Sequence, residues 1–501
     1  MKRMKSILLI IVSSFMFWML VGCDGFLDEY SISEVRPTEV TDLEQLLLGD
    51  AYLDADQKEV QYNIMDIFTD DIKCNGLGNE GYRDYFEHMR WRFLWEPNMF
   101  NAAGGGYDAA FWELPYNKIL GCNIVLDCLD DMTGEESLRE NLRGEAFVLR
   151  SLYYLMMVNM YGMPYNEGDP ARNPGVPLKL TMDVRDERFP RNTVAEVYGR
   201  IEKDLLTGNR LLTENDYKRN FLRIGHLAAK ALLSRVYLYM EDWDRAIAYA
   251  DSVLQVKPNL LDLNTVSWST PRSPSSLSVY SIDTPDEVIW MREGYRKLDD
   301  MQASDPCYLA SDDLLDLYGP CNHNMVQNKT IKDIRGCLYF AWNFKMAFPS
   351  LTYYRSYLSI GGSDNGVYQG IRTAEMYLNR AEGYIRKYMV EGNMSYCRKA
   401  LDDLNELRRH RFNKTYEYEE VNITDPELLF KFYQEERRRE LAGDWIHRWC
   451  DLRRYGMPEI SHVYFETSSG NKTEMTLSKN RYVLPIPEEI IRLNPLLEQN
   501  K

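Results

Sequence analysis

The sequence predicts an all-α protein, a mainly helical scaffold of stacked helix pairs broken by long irregular insertions. Three observations carry that prediction. Residues 138–161 place apolar side chains at 142, 146, 149, 153, 156 and 160, alternating steps of four and three that trace one helix face. The second half of this stretch is apolar on its other faces too, so it predicts a central helix packed on several sides. The same grammar recurs at 228–239 and at 374–384: small residues that admit a neighbouring helix, and an arginine (Arg150, Arg235, Arg380) followed within four residues by tyrosine.

Each echo has a helical partner beside it, at 243–254 and 395–411. Helix pairs of this kind bury their faces by stacking on one another, the logic of tetratricopeptide arrays. Their uneven spacing excludes a simple tandem solenoid. The central helix is expected to end at Gly162, taking the left-handed conformation just past the last turn, and Pro164 cannot extend it.

In chain order, Lys2, Arg3 and Lys5 precede an apolar run at 7–21, too short for a comfortable membrane span. This reads as a signal peptide over residues 1–22, ending in Leu20-Val21-Gly22-Cys23, a bacterial lipobox in which Cys23 becomes the lipidated first residue. Residues 23–501 then read as one domain. The formal charge of the whole chain is −17, and losing the three basic residues takes it to −20, which disfavours nucleic acid as a partner. No later apolar run approaches membrane-spanning length. The eight cysteines after Cys23 contain no Cys-x-x-Cys pair, so no metal or other cofactor is called for; Cys307, Cys321 and Cys337 are near enough in sequence to include a disulfide, with buried free thiols as the alternative.

A helix near 41–53 follows a polar tether. Residues 66–107 then carry many indoles and phenols without a clean period, which suggests a loop-borne binding surface. Helices are expected at 107–132 and 193–212. Residues 257–370 form the longest irregular region, with turn clusters and strand-like pieces such as 287–291, and it brings Trp268, Tyr280, Trp290, Tyr295 and Tyr308. It is a second candidate for the ligand surface. Alternating acids and arginines at 435–440 and 448–454 predict a salt-bridged helix face.

These pieces together resemble the SusD/RagB outer-membrane lipoproteins. The resemblance rests on Cys23-Asp24-Gly25-Phe26-Leu27-Asp28; on 143–150 running to Tyr161-Gly162-Met163-Pro164; on Thr373-Ala374-Glu375-Met376-Tyr377-Leu378-Asn379-Arg380-Ala381-Glu382; and on 436–456 with the closing Leu484-Pro485-Ile486-Pro487, Asn494-Pro495 and Gln499-Asn500. One departure lies between Leu441 and Arg448, where the family commonly has Glu-Gly and this chain has Asp444-Trp445-Ile446-His447, one residue longer. The resemblance implies four tetratricopeptide-like helix pairs and a lipid anchor at the outer face of the outer membrane. It further implies capture of a glycan or other nutrient as the lid of a SusC-like TonB-dependent transporter, without catalysis.

Sugar faces stack on Trp and Tyr rings while Asp, Asn and Arg bind hydroxyls. Within the two candidate regions the expected ligand contacts are Trp91, Trp95 and Tyr295 as platforms, with Asp71, Arg83 and Asn98 as polar partners. Trp91 and Trp95 lie four apart, so a buried helix stripe is the alternative for them. Two rival functions remain: an exported glycan-active hydrolase, and a repeat scaffold that binds only a protein. The hydrolase lacks a motif, since Gly361-Gly362-Ser363-Asp364-Asn365 fails the nucleophile elbow and there is no His-Glu-x-x-His. Gly76-Leu77-Gly78-Asn79-Glu80-Gly81 has dinucleotide-loop spacing without a preceding buried strand, and 71–76 puts lysine at a calcium-ligand position.

Overall fold

In the computed structural model of the chain, residues 37–53, 62–74, 89–100, 110–183, 188–215, 217, 220–266, 279–280, 285–294, 308–347, 350–357, 362–363, 366–465 and 471–500 are described. The lipobox with Cys23, Arg83, Tyr295, Trp268, Cys307 and the glycine stretch at 76–81 lie outside them. The principal helices are α1 (Val40–Leu46), α2 (Ala110–Cys128), α3 (Glu136–Tyr161), α4 (Val194–Glu214), α5 (His226–Tyr239), α6 (Trp243–Leu254), α7 (Thr373–Glu391), α8 (Met394–Arg409), α9 (Pro426–Glu440) and α10 (His447–Arg454). From α2 to α6 each packs on the next; α7 then packs on α6, α8 and α9.

Sequence chemistry sets the ends of these helices. Thr193 caps α4 by accepting from the amide of Glu196, whose carboxylate returns to the Thr193 amide. Asp242, Asn393 and Asp425 cap α6, α8 and α9 through their side chains. The expectation for Gly162 is corrected: its φ is −105° and ψ 164°, an extended residue. Glycine is needed there for space, because a Cβ would stand 3.0 Å from the carbonyl oxygen of Val158 and 3.4 Å from Cα of Gly175. Close approach also explains Gly208, where a Cβ would come within 2.6 Å of the Val148 side chain, so α3 and α4 meet almost backbone to backbone.

The three repeated arginines are the bolts between helices. Arg150 on α3 binds Asp204 on α4 through two nitrogens (2.8 and 3.1 Å) and Asn123 on α2 at 2.7 Å. Arg235 on α5 forms a two-pronged pair with Glu375 on α7, both contacts 2.7 Å. Arg380 on α7 grips Asp403 on α8 and Asp251 on α6, each at 2.6 Å. Tyr153 and Tyr154, which follow Arg150, are almost wholly buried.

The long insertion is more regular than its composition suggests. Strands β2 (Val288–Gly294) and β7 (Gly366–Arg372) pair antiparallel, with β6 (Gly362–Ser363) on the far edge of β7; β3 (Tyr308–Ala310) pairs with β1 (Ile72–Cys74), and β4 (Phe340–Ala347) with β5 (Ser350–Tyr357). A last hairpin joins β8 (Ile460–Phe465) to β9 (Lys472–Leu477). The β2–β7 and β1–β3 pairings are long-range, so single-strand patterns in the sequence show only fragments of them. β7 runs straight into α7, which ties the insertion to the helical array at Arg372. Cys321 and Cys337 are free thiols.

At that junction lies a buried ionic cluster. Glu440, at the end of α9, accepts from Arg335 (2.9 Å), Arg411 (2.9 and 3.0 Å), Arg372 and the hydroxyl of Tyr339 (3.2 Å). Glu287 accepts from Arg372 (2.8 Å), Arg411 (2.8 Å) and the amide of Leu261 (2.8 Å). Burial alone would raise the Glu440 carboxyl pKa, but Arg411, Arg372 and Arg335 hold it well below the usual carboxylate range. The predicted salt-bridged face of α9 is therefore an interior one. Asp444 belongs to it too, accepting from Arg372 at 2.9 Å and Tyr280 at 3.0 Å, so the turn between α9 and α10 supplies one of the buried counter-charges. The turn that delivers it carries left-handed residues at Gly443 (φ 69°) and Trp445 (φ 52°).

Removing one partner from such a cluster leaves charges unpaired in the interior, which costs about 3–5 kcal/mol. Glu440→Ala is expected to lose that much in chemical denaturation, whereas Glu417→Ala, at an exposed position, should stay within about 0.5 kcal/mol of the parent.

Candidate ligand-binding surface

The first candidate region folds as a 3₁₀ segment (Tyr62–Phe68), the strand β1, and a short helical turn at 89–93 continued by turns to 100. Met65, Ile67, Phe68 and Phe93 are fully buried, so the described parts of the region form a shell with its own core. Three of its braces, Arg438, Arg448 and His462, lie more than 350 positions away in sequence.

Asp70 receives a two-pronged bond from Arg448 (2.8 and 2.7 Å), and Arg438 donates to Asp71 at 2.6 Å and to the carbonyl of Asp70 at 3.1 Å. Ser311, just after β3, donates its hydroxyl to the Asp70 carbonyl (2.6 Å) and its amide to that of Asp71 (2.8 Å). Burial works to raise the Asp70 carboxyl, but Arg448 and Arg438 outweigh it and hold the pKa down at about 2. Burial raises that of Asp71, despite Arg438 and Arg448.

His462, on β8, is the second brace. Its ring lies between those of Phe93 (centroids 4.0 Å, planes 10° apart) and Trp95 (4.2 Å, 20°). Nδ1 sits 2.6 Å from the carbonyl of Phe93 and Nε2 2.9 Å from that of Thr69, so one imidazole spans both halves of the region. Burial lowers its pKa, against the pull of the two carbonyls.

This geometry places the expected contacts as follows. Trp95 is buried, 2% exposed, with φ 48°; its indole N–H donates to the carbonyl of Phe68 at 3.1 Å. With one face on His462 and its N–H spent, it is a core ring, and the expectation of a stacking platform there is corrected. Asp71 is likewise fully buried and held by Arg438, which corrects its expected role as a hydroxyl partner. Trp91 is different. It is half-buried, with the Arg90 guanidinium 6.0 Å from its ring centre and 5.2 Å from that of Tyr464. Asn98 is exposed on the turn beyond. Trp91 and Asn98 thus lie on the outer rim, and the alternative of one buried stripe fits Trp95 only.

The second candidate region changes in the same way. Tyr280, Trp290 and Tyr308 are 1%, 0% and 2% exposed, so these aromatics belong to the core and to β3's contact with Phe93. Sequence reasoning missed Arg438, Arg448 and His462. The density of arginine at 437–454 was visible, but nothing local indicates which of them reach back to residue 70. Among the described residues, no group of three His, Cys, Asp or Glu side chains is placed to hold a metal ion, and no helix is long and apolar enough to cross a membrane.

Stacked helix pairs joined to a partly stranded insertion define a mainly α helical-repeat protein. Two family models match the sequence: "SusD-like_3: Starch-binding associating with outer membrane" over residues 25–238, and "SusD_RagB: SusD family" over 348–501. Together they span more than half of the chain, which belongs to the SusD/RagB family. No curated protein matches it in sequence. Among solved structures, it is similar to a SusD-like carbohydrate binding protein from Bacteroides vulgatus ATCC 8482 (TM-score 0.66, 19% identity, covering 92% of this chain and 97% of that one). A SusD superfamily protein from Bacteroides fragilis (0.66, 20%, 92% and 99%) and one from Bacteroides thetaiotaomicron VPI-5482 (0.64, 21%, 92% and 98%) are also similar. The overlap covers the helical array, in line with the mainly α fold expected.

Two outcomes check this assignment of side chains. Trp95→Ala should cost about 3–5 kcal/mol of stability, as for a core aromatic, while Trp91→Ala leaves the melting temperature nearly unchanged. The depressed Asp70 pKa gives stability that is complete above pH 3.8 and lost as pH falls through about 2. Asp70→Asn should accordingly be less stable than the parent at pH 6, with the gap closing in acid unfolding curves as pH approaches 2.

Proposed function

We propose that this chain is a cell-surface lipoprotein that binds a neutral glycan and passes it to a SusC-like TonB-dependent transporter in the outer membrane, catalysing no reaction itself. The observation that carries this reading is the family match at both ends of the chain, one of its models being described as starch-binding and outer-membrane-associated. A lipid on Cys23 would anchor the domain 23–501 to the membrane, and an acidic surface does not repel an uncharged sugar. The proposed contacts are Trp91 as a stacking platform with Asn98 beside it, and Arg83 and Tyr295 as further contacts.

A screen of soluble neutral glycans against the purified mature chain tests the reading. Binding to one glycan class is expected, with Trp91→Ala losing about 1–2 kcal/mol of affinity in a variant that still melts like the parent. Unchanged affinity would remove Trp91 from the site, and binding to no glycan alongside capture of a protein would favour the scaffold reading. Cys23→Ala should release the protein from the membrane fraction, because one N-acyl and two further acyl chains anchor far more firmly than a single chain.

A further inference from the structure

Six arginines of the described residues are less than 2% exposed: Arg150, Arg335, Arg372, Arg411, Arg437 and Arg453. The first five each have a carboxylate oxygen within 2.8 Å, supplied by Asp204, Asp333, Glu287, Glu287 and Asp451 respectively. Arg453 has none. Its guanidinium makes a single hydrogen bond, from Nη2 to the carbonyl of Gly162, and its Nε and Nη1 are buried without a partner. The ring of Trp449 lies 5.9 Å away and covers it without accepting a hydrogen bond.

Burial lowers the Arg453 pKa to about 10, with Cys450 and Tyr198 pulling against it, so the group stays a cation at neutral pH. Neither of those neighbours supplies the missing charge. Burial pushes the Cys450 thiol up to about 11 and holds the Tyr198 hydroxyl above its ordinary value, so both are neutral. The Tyr198 oxygen already accepts from Asn159 at 3.2 Å. What remains is the carbonyl of Gly162, at the negative end of α3, an end that amounts to about half a charge. That leaves a desolvated cation half compensated, with N–H donors aimed at nothing.

We infer that Arg453 holds a small inorganic monovalent anion of the halide class, seated against its Nε and Nη1, the edge of the guanidinium left free by the Gly162 carbonyl. A water molecule would satisfy the donors and leave the charge; an anion does both. The site stands on a point where several segments meet. Trp449 donates to the carbonyl of Asn159 (3.1 Å), Leu484 donates its amide to that of Met160 (2.9 Å), and Arg191 and Asn500 bind that of Tyr161 (2.6 and 3.0 Å). An anion here would lock the central helix to the C-terminal segment, independently of any glycan.

The test uses the mature wild-type chain. Crystals soaked in bromide should show an anomalous peak beside Nε and Nη1 of Arg453, and the melting temperature should rise by roughly 2 °C or more when gluconate is replaced by chloride at constant ionic strength. Arg453→Met, if it folds, should lose the chloride response. Absence of a peak, or density without anomalous signal, overturns the proposal. A peak that needs molar bromide and comes with no chloride dependence of melting identifies an adventitious ion only, and overturns it equally.

Discussion

The structure depends on neutralising charge that has been taken out of water. Glu440 accepts from three arginines and a tyrosine at the point where α9, β7 and the insertion converge, and Glu287 and Asp444 complete the same cluster. A second knot ties Glu382 to both arms of Arg454, with Tyr433 at 2.7 Å. Such pairs gain little over an apolar core of equal volume, because desolvation offsets much of their attraction. Their consequence is specificity. An arginine buried in the wrong register would meet no carboxylate, so each pair admits one arrangement of the elements it joins, and the irregular insertion is fixed in place without a continuous helical interface.

The helical part of this architecture was legible. The period of 138–161 marks α3, and 243–254 coincides with α6, because amphipathic spacing is a local property. The recurrent arginines were visible as a pattern, though not as bolts, since their partners lie on other helices. The insertion and the candidate surface were harder to read. Tyr280, Trp290, Trp95 and Tyr308 have the composition of a sugar-binding face, yet side-chain type alone does not separate a stacked platform from a core ring. That distinction is set by what packs above each ring. For Trp95 it is His462, and sequence offers no local signal of a histidine so far away.

Comparison with relatives adds a physical point. Chains only about a fifth identical share this fold. In this chain the turn before α10 passes through left-handed positions at Gly443 and Trp445 and feeds the Asp444 carboxylate into the buried cluster.

The bracing of residues 66–100 by Arg438, Arg448 and His462 has a bearing on the order of folding. The bonds from Arg448 to Asp70 close a loop of 378 residues, so they cannot form until almost the entire polypeptide has been synthesised. The helical array has mostly nearest-neighbour packing and can assemble as it emerges. The shell at 66–100 cannot. A nascent or clipped chain that stops before residue 438 would hold that shell in its sequence without Arg438, Arg448 and His462, the side chains that fasten it, so its final shape waits for the last part of the chain.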